Sequence, residues 1–303
     1  MSGLRWTRKT TEKIAEQLLR LDIEVSANTV ARLLNEMGFS LKTNRKNIES
    51  GVQHKPGHRA RRNRQFLTIQ STRHRFERAH QPVISVDGKK REMIGLFKNN
   101  GRAWREKAKQ VNDHDHDFRT DAIGVALPYG IYDVSRNTGM VMVGTTRETP
   151  AFAVDAIDQW WRTRGRKDYP GADRLLILAD SGGANSARSR VWKCDLQQKI
   201  CNRHGLRVTV HHYPPGASKW NPIEHKLFSE ISKNWQGVPL ESYEIAINYI
   251  SSTETRTGLK VKAVLNSRNY ETGETVTDDE IEMLRIRLHK TLPEWNYTIR
   301  PQI

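Results

Sequence analysis

The sequence predicts an α/β fold, a mixed sheet with flanking helices, preceded by a small all-helical module. Three observations predict it. From residue 82 onward, short apolar runs of strand length alternate with stretches at helical spacing. Before residue 47 the spacing is helical only. Charge divides the same way: residues 1–80 hold 17 Lys/Arg against 7 Asp/Glu, ten of the sixteen excess positive charges of the chain. Solubility does not require a net charge of +16, whereas a polyanionic partner accounts for it, and nucleic acid is the commonest one.

The first module spans residues 1–46. Ile14, Ala15, Leu18 and Leu19 share a face in a predicted helix from Thr10 to Leu21. Ser26 suits an N-cap, Val30, Leu33, Leu34 and Met37 follow at i, i+3, i+4 and i+7, and Gly38 ends the helix. Two short amphipathic helices followed by a basic tail with Arg45 and Lys46 suggest a helix-turn-helix that places Asn28, Thr29 and Arg32 against DNA. Residues 47–81 read as a basic linker, with Arg61 and Arg62 as phosphate contacts, and a helix from Arg64 to Ala79.

The α/β part is expected over 82–240. Val83–Val86 is a strand that ends in Asp87, and residues 93–121 are polar and irregular. Strands follow at about 125–134 and 140–146, with Asn137-Thr138-Gly139 at their turn. A helix covers 151–164, with Trp160 and Trp161 at its core boundary. Leu175–Leu178 is a continuous apolar strand that leads to Asp180. Ser186 to His204 is helical, Val208 to Tyr213 a strand, and Asn221 to Trp235 a helix that Pro222 suits as a first residue. Three strands, helix, strand, helix, strand, helix is the order of a ribonuclease-H-like fold rather than of a doubly wound dinucleotide fold. Residues 241–303 are expected as a C-terminal α+β extension.

Several classes fall away. No GxGxxG follows the first strand and there is no P-loop, so no nucleotide cofactor is expected. No apolar run approaches the length of a membrane span, and Met1–Thr10 lacks the apolar core of a secretory signal. Cys194 and Cys201, seven apart in one predicted helix, read as structural thiols on one face.

Two strands that end in aspartate, and a helix bearing Glu224 in its first turn, carry the chemistry. A carboxylate at the C-terminal end of a buried strand sits at the sheet edge where ligands bind. The 43 residues between Asp180 and Glu224 leave room for a helix, a strand and a loop. Three such carboxylates can hold two Mg²⁺, with Mn²⁺ as a substitute, and support in-line displacement at phosphorus. Each Asp alone reads equally as a cap or turn residue. Gly182 and Gly183 bring backbone N–H groups near a phosphate. Lys219 and Trp220 are candidate DNA contacts, and Asn221 caps the helix and orients Glu224. His114–Asp117 reads as a polar loop rather than a metal tract. Glu92 and Asp133 are secondary carboxylates.

The local sequences narrow this further. Val83–Lys90, Gly95–Trp104, Pro128–Asp133, Ala179–Asn185, Pro214–His225 and Trp295–Pro301 resemble the DDE transposases of bacterial insertion sequences, specifically the Rhodopirellula-type transposase family. The resemblance implies a ribonuclease-H-like domain with Asp87, Asp180 and Glu224 as metal ligands. It also implies transposon-end and target DNA as substrates, a homodimer or higher synaptic complex, and a bacterial cytoplasmic, nucleoid-associated location. Gly88 stands where Thr is expected. The family extends further before the point matching Leu4, so the chain is read as a short member. A catalytically idle transposase-derived DNA-binding protein and a structure-selective nuclease of the same fold are the alternatives.

Overall fold

A computed structural model describes residues 9–40, 57–103 and 118–302. The chain divides into two compact units, Met1–Glu49 and Ser50–Ile303.

In the first unit, α1 (Thr11–Leu19) and α2 (Ala27–Glu36) each start on a hydroxyl cap. Thr10 accepts from the Lys13 amide at 3.3 Å and Ser26 from the Thr29 amide at 3.1 Å. Gly38, at φ 84°, takes the chain out of α2. Of the apolar series on α2, Val30 is buried while Leu33 and Met37 are exposed.

The second unit begins with α3 (His58–Arg78), which starts six residues before its expected position. Arg62, Gln65, Ile69, Thr72 and Phe76 form its buried stripe, three and four residues apart. Ile69 and Phe76 pack on Val83, Leu176, Leu178 and Tyr213. The helix is therefore part of the larger unit, and the expected boundary at residue 82 is not one between compact bodies.

The sheet comprises β1 (Val83–Gly88), β2 (Glu92–Ile94), β3 (Gly124–Asp133), β4 (Thr138–Gly144), β5 (Arg174–Ala179), β6 (Arg207–His212), β7 (Lys260–Asn266), β8 (Ile286–Leu288) and β9 (Asn296–Ile299). Its order is β7-β4-β3-β1-β5-β6-β9-β8, with β2 paired to β3. β1, β3 and β4 form an antiparallel meander; β5 and β6 then add in parallel beside β1. This centre is the ribonuclease-H-like arrangement expected. Asn137, at φ 52°, makes the β3–β4 turn. The start of the segment expected to be irregular, Met93 and Ile94, belongs to strand β2.

Residues after 240 build both sheet edges. β7 pairs parallel to β4, β9 antiparallel to β6, and β8 to β9. The expected extension is thus continuous with the sheet, because these strands supply hydrogen-bond partners that β4 and β6 otherwise lack.

Both faces are covered. On one lie α4 (Pro150–Trp160), which continues through a π-helical stretch, Trp161–Gly165, into a last turn, α5 (Arg166–Asp168), and α6 (Arg190–Asp195), which continues as a π-helical stretch, Leu196–Asn202. They bury Ile84, Val86, Leu175, Ile177, Val208 and Val210. Opposite, α7 (Ser229–Asn234) and α8 (Tyr243–Ser251) cover Tyr132, Val141 and Val143. A strand covered on both sides needs no polar alternation, which explains the continuous apolar run of β5. The short helix α9 (Asp278–Glu282) opens with a capping box from Thr277 and Glu280. Cys194, on α6, is half-buried, and Cys201, in the π-helical stretch that follows, is buried. No helix among the described residues is long and apolar enough to cross a membrane.

Candidate active site

Strand pairing brings the first two carboxylates together. β1 and β5 are parallel neighbours with Val86 opposite Ala179. Asp87, still within β1, and Asp180, the first residue after β5, follow this pair, so both stand at the C-terminal edge.

Glu224 is attached to the same strand by a polar lock. The Ser85 hydroxyl on β1 donates to Asn221 Oδ1 and accepts from the Ile223 amide at 3.2 Å. Asn221 Nδ2 donates to the Val86 carbonyl at 3.4 Å. Ser85 and Asn221 are fully buried. Asn221 thus fixes the helix start against β1, and Glu224 follows as the first residue of a π-helical stretch, Glu224–Phe228. Such stretches are frequent at functional sites.

The electrostatics show one cluster. Asp87 is 8% exposed. Burial first, then the charges of Asp180, Glu224 and Glu148, push its carboxyl up to about 8, against the Gly88 amide that donates to it at 2.8 Å. Burial raises Asp180, opposed by the Gly182 amide and the Asn185 side chain. Burial also raises Glu224, with Asp180 adding to the rise and His225 and Lys89 opposing it. Among the described residues, none of these four carboxylates forms an ion pair.

Glu148 was not anticipated. It lies just before Thr149, the N-cap of α4, and Pro150; an acid wedged between a strand end and a Thr-Pro helix start was the available signal. It reaches the site because residue 88 is glycine. A Cβ at Gly88 would stand 1.9 Å from Glu148 Oε1. Gly88→Ala is therefore expected to turn the Glu148 carboxylate away while the fold persists, since the far end of a flexible side chain yields first. Stability should change by less than about 1 kcal/mol. A structure of this variant with Glu148 still over Gly88 and the strand unshifted would contradict the expectation. Tyr129, fully buried, also borders the cluster and donates to Asn185 Oδ1 at 2.5 Å.

The all-oxygen donor set suits a hard divalent cation, whose charge would offset the burial, and at Asp87 and Glu224 also the repulsion, that raises these carboxyls. Among the described residues, no three His, Cys, Asp or Glu side chains are already grouped closely enough to hold one.

The other candidates are more dispersed. Gly182 and Gly183 are exposed beside Asp180, but the Gly182 amide is already turned onto Asp180 Oδ1 at 3.2 Å. Lys219 lies 5.4 Å over the ring of Trp220, which is 56% exposed and edge-on to Phe66. Arg62, expected as a phosphate contact, is instead buried over Phe66 at 5.8 Å because the α3 stripe turns it inward. Arg61 pairs with Glu294 and lies 6.0 Å from the Trp295 ring. On α2, Asn28 is exposed, Thr29 Oγ1 is held by Ser26 at 2.9 Å, and Arg32 pairs with Glu36 at 2.7 Å. Arg45, Lys46 and His114–Asp117 lie outside the described residues. Asp133 accepts from Tyr169 at 2.8 Å and from two turn amides, and Glu92 pairs with Lys89 at 2.5 Å.

The sequence profile of the Rhodopirellula transposase DDE domain family matches residues 1–301. The chain belongs to this family. No curated protein matches it. Solved structures with similarity to this DDE transposase family member include the mariner Mos1 paired-end complex with Mg, at 14% identity and TM-score 0.48 over 80% of this chain and 65% of that one. The Mos1 strand transfer complex gives 15% identity and TM-score 0.47, over 80% and 64%. The catalytic domain of Mos1 mariner transposase gives 13% identity and TM-score 0.41, over 66% and 82%. The chain spans just under two thirds of the Mos1 chains in the paired-end and strand transfer complexes, 65% and 64%.

Proposed function

We propose that this transposase-family chain hydrolyses phosphodiesters at the ends of a bacterial insertion sequence and joins the freed 3′-OH to target DNA. The observation that carries the reading is the gathering of Asp87, Asp180 and Glu224 at one strand edge in a chain whose family is named for that chemistry. Asp87 and Asp180 flank the reacting phosphate, and Glu224 completes the acidic set from the helix side. When bound, two Mg²⁺, or Mn²⁺ in their place, supply activation of the attacking oxygen and stabilisation of the leaving one. Ser85 and Asn221 hold Glu224 against β1, which keeps the carboxylates from drifting apart.

DNA is the partner this reading requires. The helical unit with Asn28, Thr29 and Arg32, together with Arg45 and Lys46, is proposed to recognise the transposon ends. Lys219, Trp220 and the exposed Arg61 are proposed to hold the backbone nearby. Joining two ends calls for a homodimer or larger synaptic complex, and the substrate places the protein in the bacterial cytoplasm.

The test is a labelled duplex carrying the end of the element that encodes the chain, incubated with Mg²⁺ and a target plasmid. Strand-specific cleavage followed by joined products is expected. Cleavage without joining would replace this reading with a nuclease.

A further inference from the structure

We propose that His212 is a positioning residue, which holds the Asp180 peptide through a directed hydrogen-bond chain that begins at Trp192. The proposal rests on the reading of Asp180 as a metal ligand.

Asp180 lies one residue beyond β5, where its carbonyl has left the ladder and requires another donor. The neighbouring strand β6 ends at His212, opposite Ala179. His212 Nδ1 lies 2.8 Å from the Asp180 carbonyl oxygen. A carbonyl only accepts, so Nδ1 carries a proton. His212 is fully buried, and no carboxylate is bonded to it. The imidazole is therefore neutral, and Nε2 is an acceptor.

The Tyr297 hydroxyl, on β9, lies 3.1 Å from Nε2 and donates to it. Its oxygen accepts from Trp192 Nε1, on α6, at 2.9 Å. An indole N–H only donates. The two ends of the chain thus set its direction: Trp192 to Tyr297, Tyr297 to His212, His212 to Asp180. Tyr297 selects the imidazole tautomer that serves Asp180. Trp192 and Tyr297 are both buried.

Two further bonds clamp the same turn. The Tyr213 amide donates to the Ala179 carbonyl at 2.8 Å, and the Ser181 hydroxyl donates to the Tyr213 carbonyl. The residues on either side of Asp180 are thereby tied to β6, and His212 holds the peptide between them. His211 supplies an internal control. It is equally buried but points to the opposite face, where Nδ1 meets Asn296 rather than the Asp180 loop. Groups that orient a metal ligand in this way typically change metal affinity by about 10–100-fold when removed.

The experiment measures Mn²⁺ affinity of the DNA-free full chain by calorimetry, with thermal melting alongside, for wild type, His212→Phe, His212→Asn, Tyr297→Phe, His211→Asn and Asp180→Asn. Asparagine places an N–H where Nδ1 stands, so His212→Asn should remain within about threefold of wild type. His212→Phe and Tyr297→Phe should weaken Mn²⁺ binding by about tenfold. His211→Asn should leave it unchanged. Nitrogen NMR of labelled histidine should show His212 as the neutral Nδ1–H tautomer, with Tyr297→Phe shifting it toward Nε2–H.

Wild-type affinity in a folded His212→Phe, or in Tyr297→Phe should His212→Phe not fold, would overturn the proposal. So would an Nε2–H tautomer in wild type, or losses that track melting temperature in His211→Asn as well. Should Asp180→Asn bind Mn²⁺ as wild type does, the fault lies in the reading of Asp180 as a ligand. Should Asp180→Asn lose binding while the two phenylalanine variants retain it, the fault lies in the positioning role alone.

Discussion

Asp180→Asn is expected to lower transposon-end cleavage by at least about 10³-fold in a protein that still folds. Metal-assisted polarisation at a transferring phosphate contributes several kcal/mol, and about 4 kcal/mol is three decades of rate. The substitution removes charge but little shape. An asparagine Oδ1 can still accept from the Gly182 amide, and the main-chain bonds from His212 and Tyr213 to residues 180 and 179 remain. Removing one of several mutually repelling carboxylates should leave the metal-free protein no less stable. Gel analysis of a labelled end duplex, with a melting curve from the same preparation, measures both. Cleavage within tenfold of wild type would remove Asp180 from the site.

The second large effect is on stability in the absence of metal. Asp87 titrates near 8 in the folded protein against an ordinary 3.8. Between those values the folded chain retains a proton that the unfolded chain has lost. Stability is therefore fully present below about 4 and declines as pH rises through 8. Buried histidines act in the other direction. His211 and His212 are pushed down by burial to about 4 from 6.5, so they lower stability only as pH falls below 6.5. In the window from about 6.5 to 8 these two histidines no longer contribute. With EDTA present, unfolding free energy should fall there by about 1–2 kcal/mol, at roughly 1.4 kcal/mol per pH unit for one proton. Saturating Mg²⁺ should flatten or reverse the slope by favouring the ionised form, and Asp87→Asn should abolish it. Urea unfolding at the two pH values measures this. An unchanged slope in Asp87→Asn would assign the proton to another group.

The parts of this site differ in how far they could be read in advance. Asp87 and Asp180 were legible because each closes an apolar run, and an apolar run bounded by a polar residue marks a strand end locally. Glu224 was legible through the Pro222 helix start. Glu148 was not. Its approach depends on the β3–β4 hairpin returning the chain over a glycine on another strand. Arg62 was assigned outward because a basic run looks like surface, yet the helical stripe that buries it is set by Ile69 and Phe76 meeting β5. Ser85 appeared as one more strand residue, although its hydroxyl is what locks Asn221 in place.

By itself the sequence determined what neighbouring residues decide: the strands and helices at the centre of the sheet, their order, the cap at Ser26, the family, and two carboxylates at strand ends. Those features follow from periodicity and steric preference over a few residues. Tertiary structure alone decided which strand lies beside which, that the last sixty residues complete both sheet edges, that Glu148 shares the acidic pocket, and that Trp192, Tyr297 and His212 meet behind Asp180. These depend on burial and pairing between segments far apart in the chain. Such contacts form only when the whole sheet is assembled, and no local pattern encodes them.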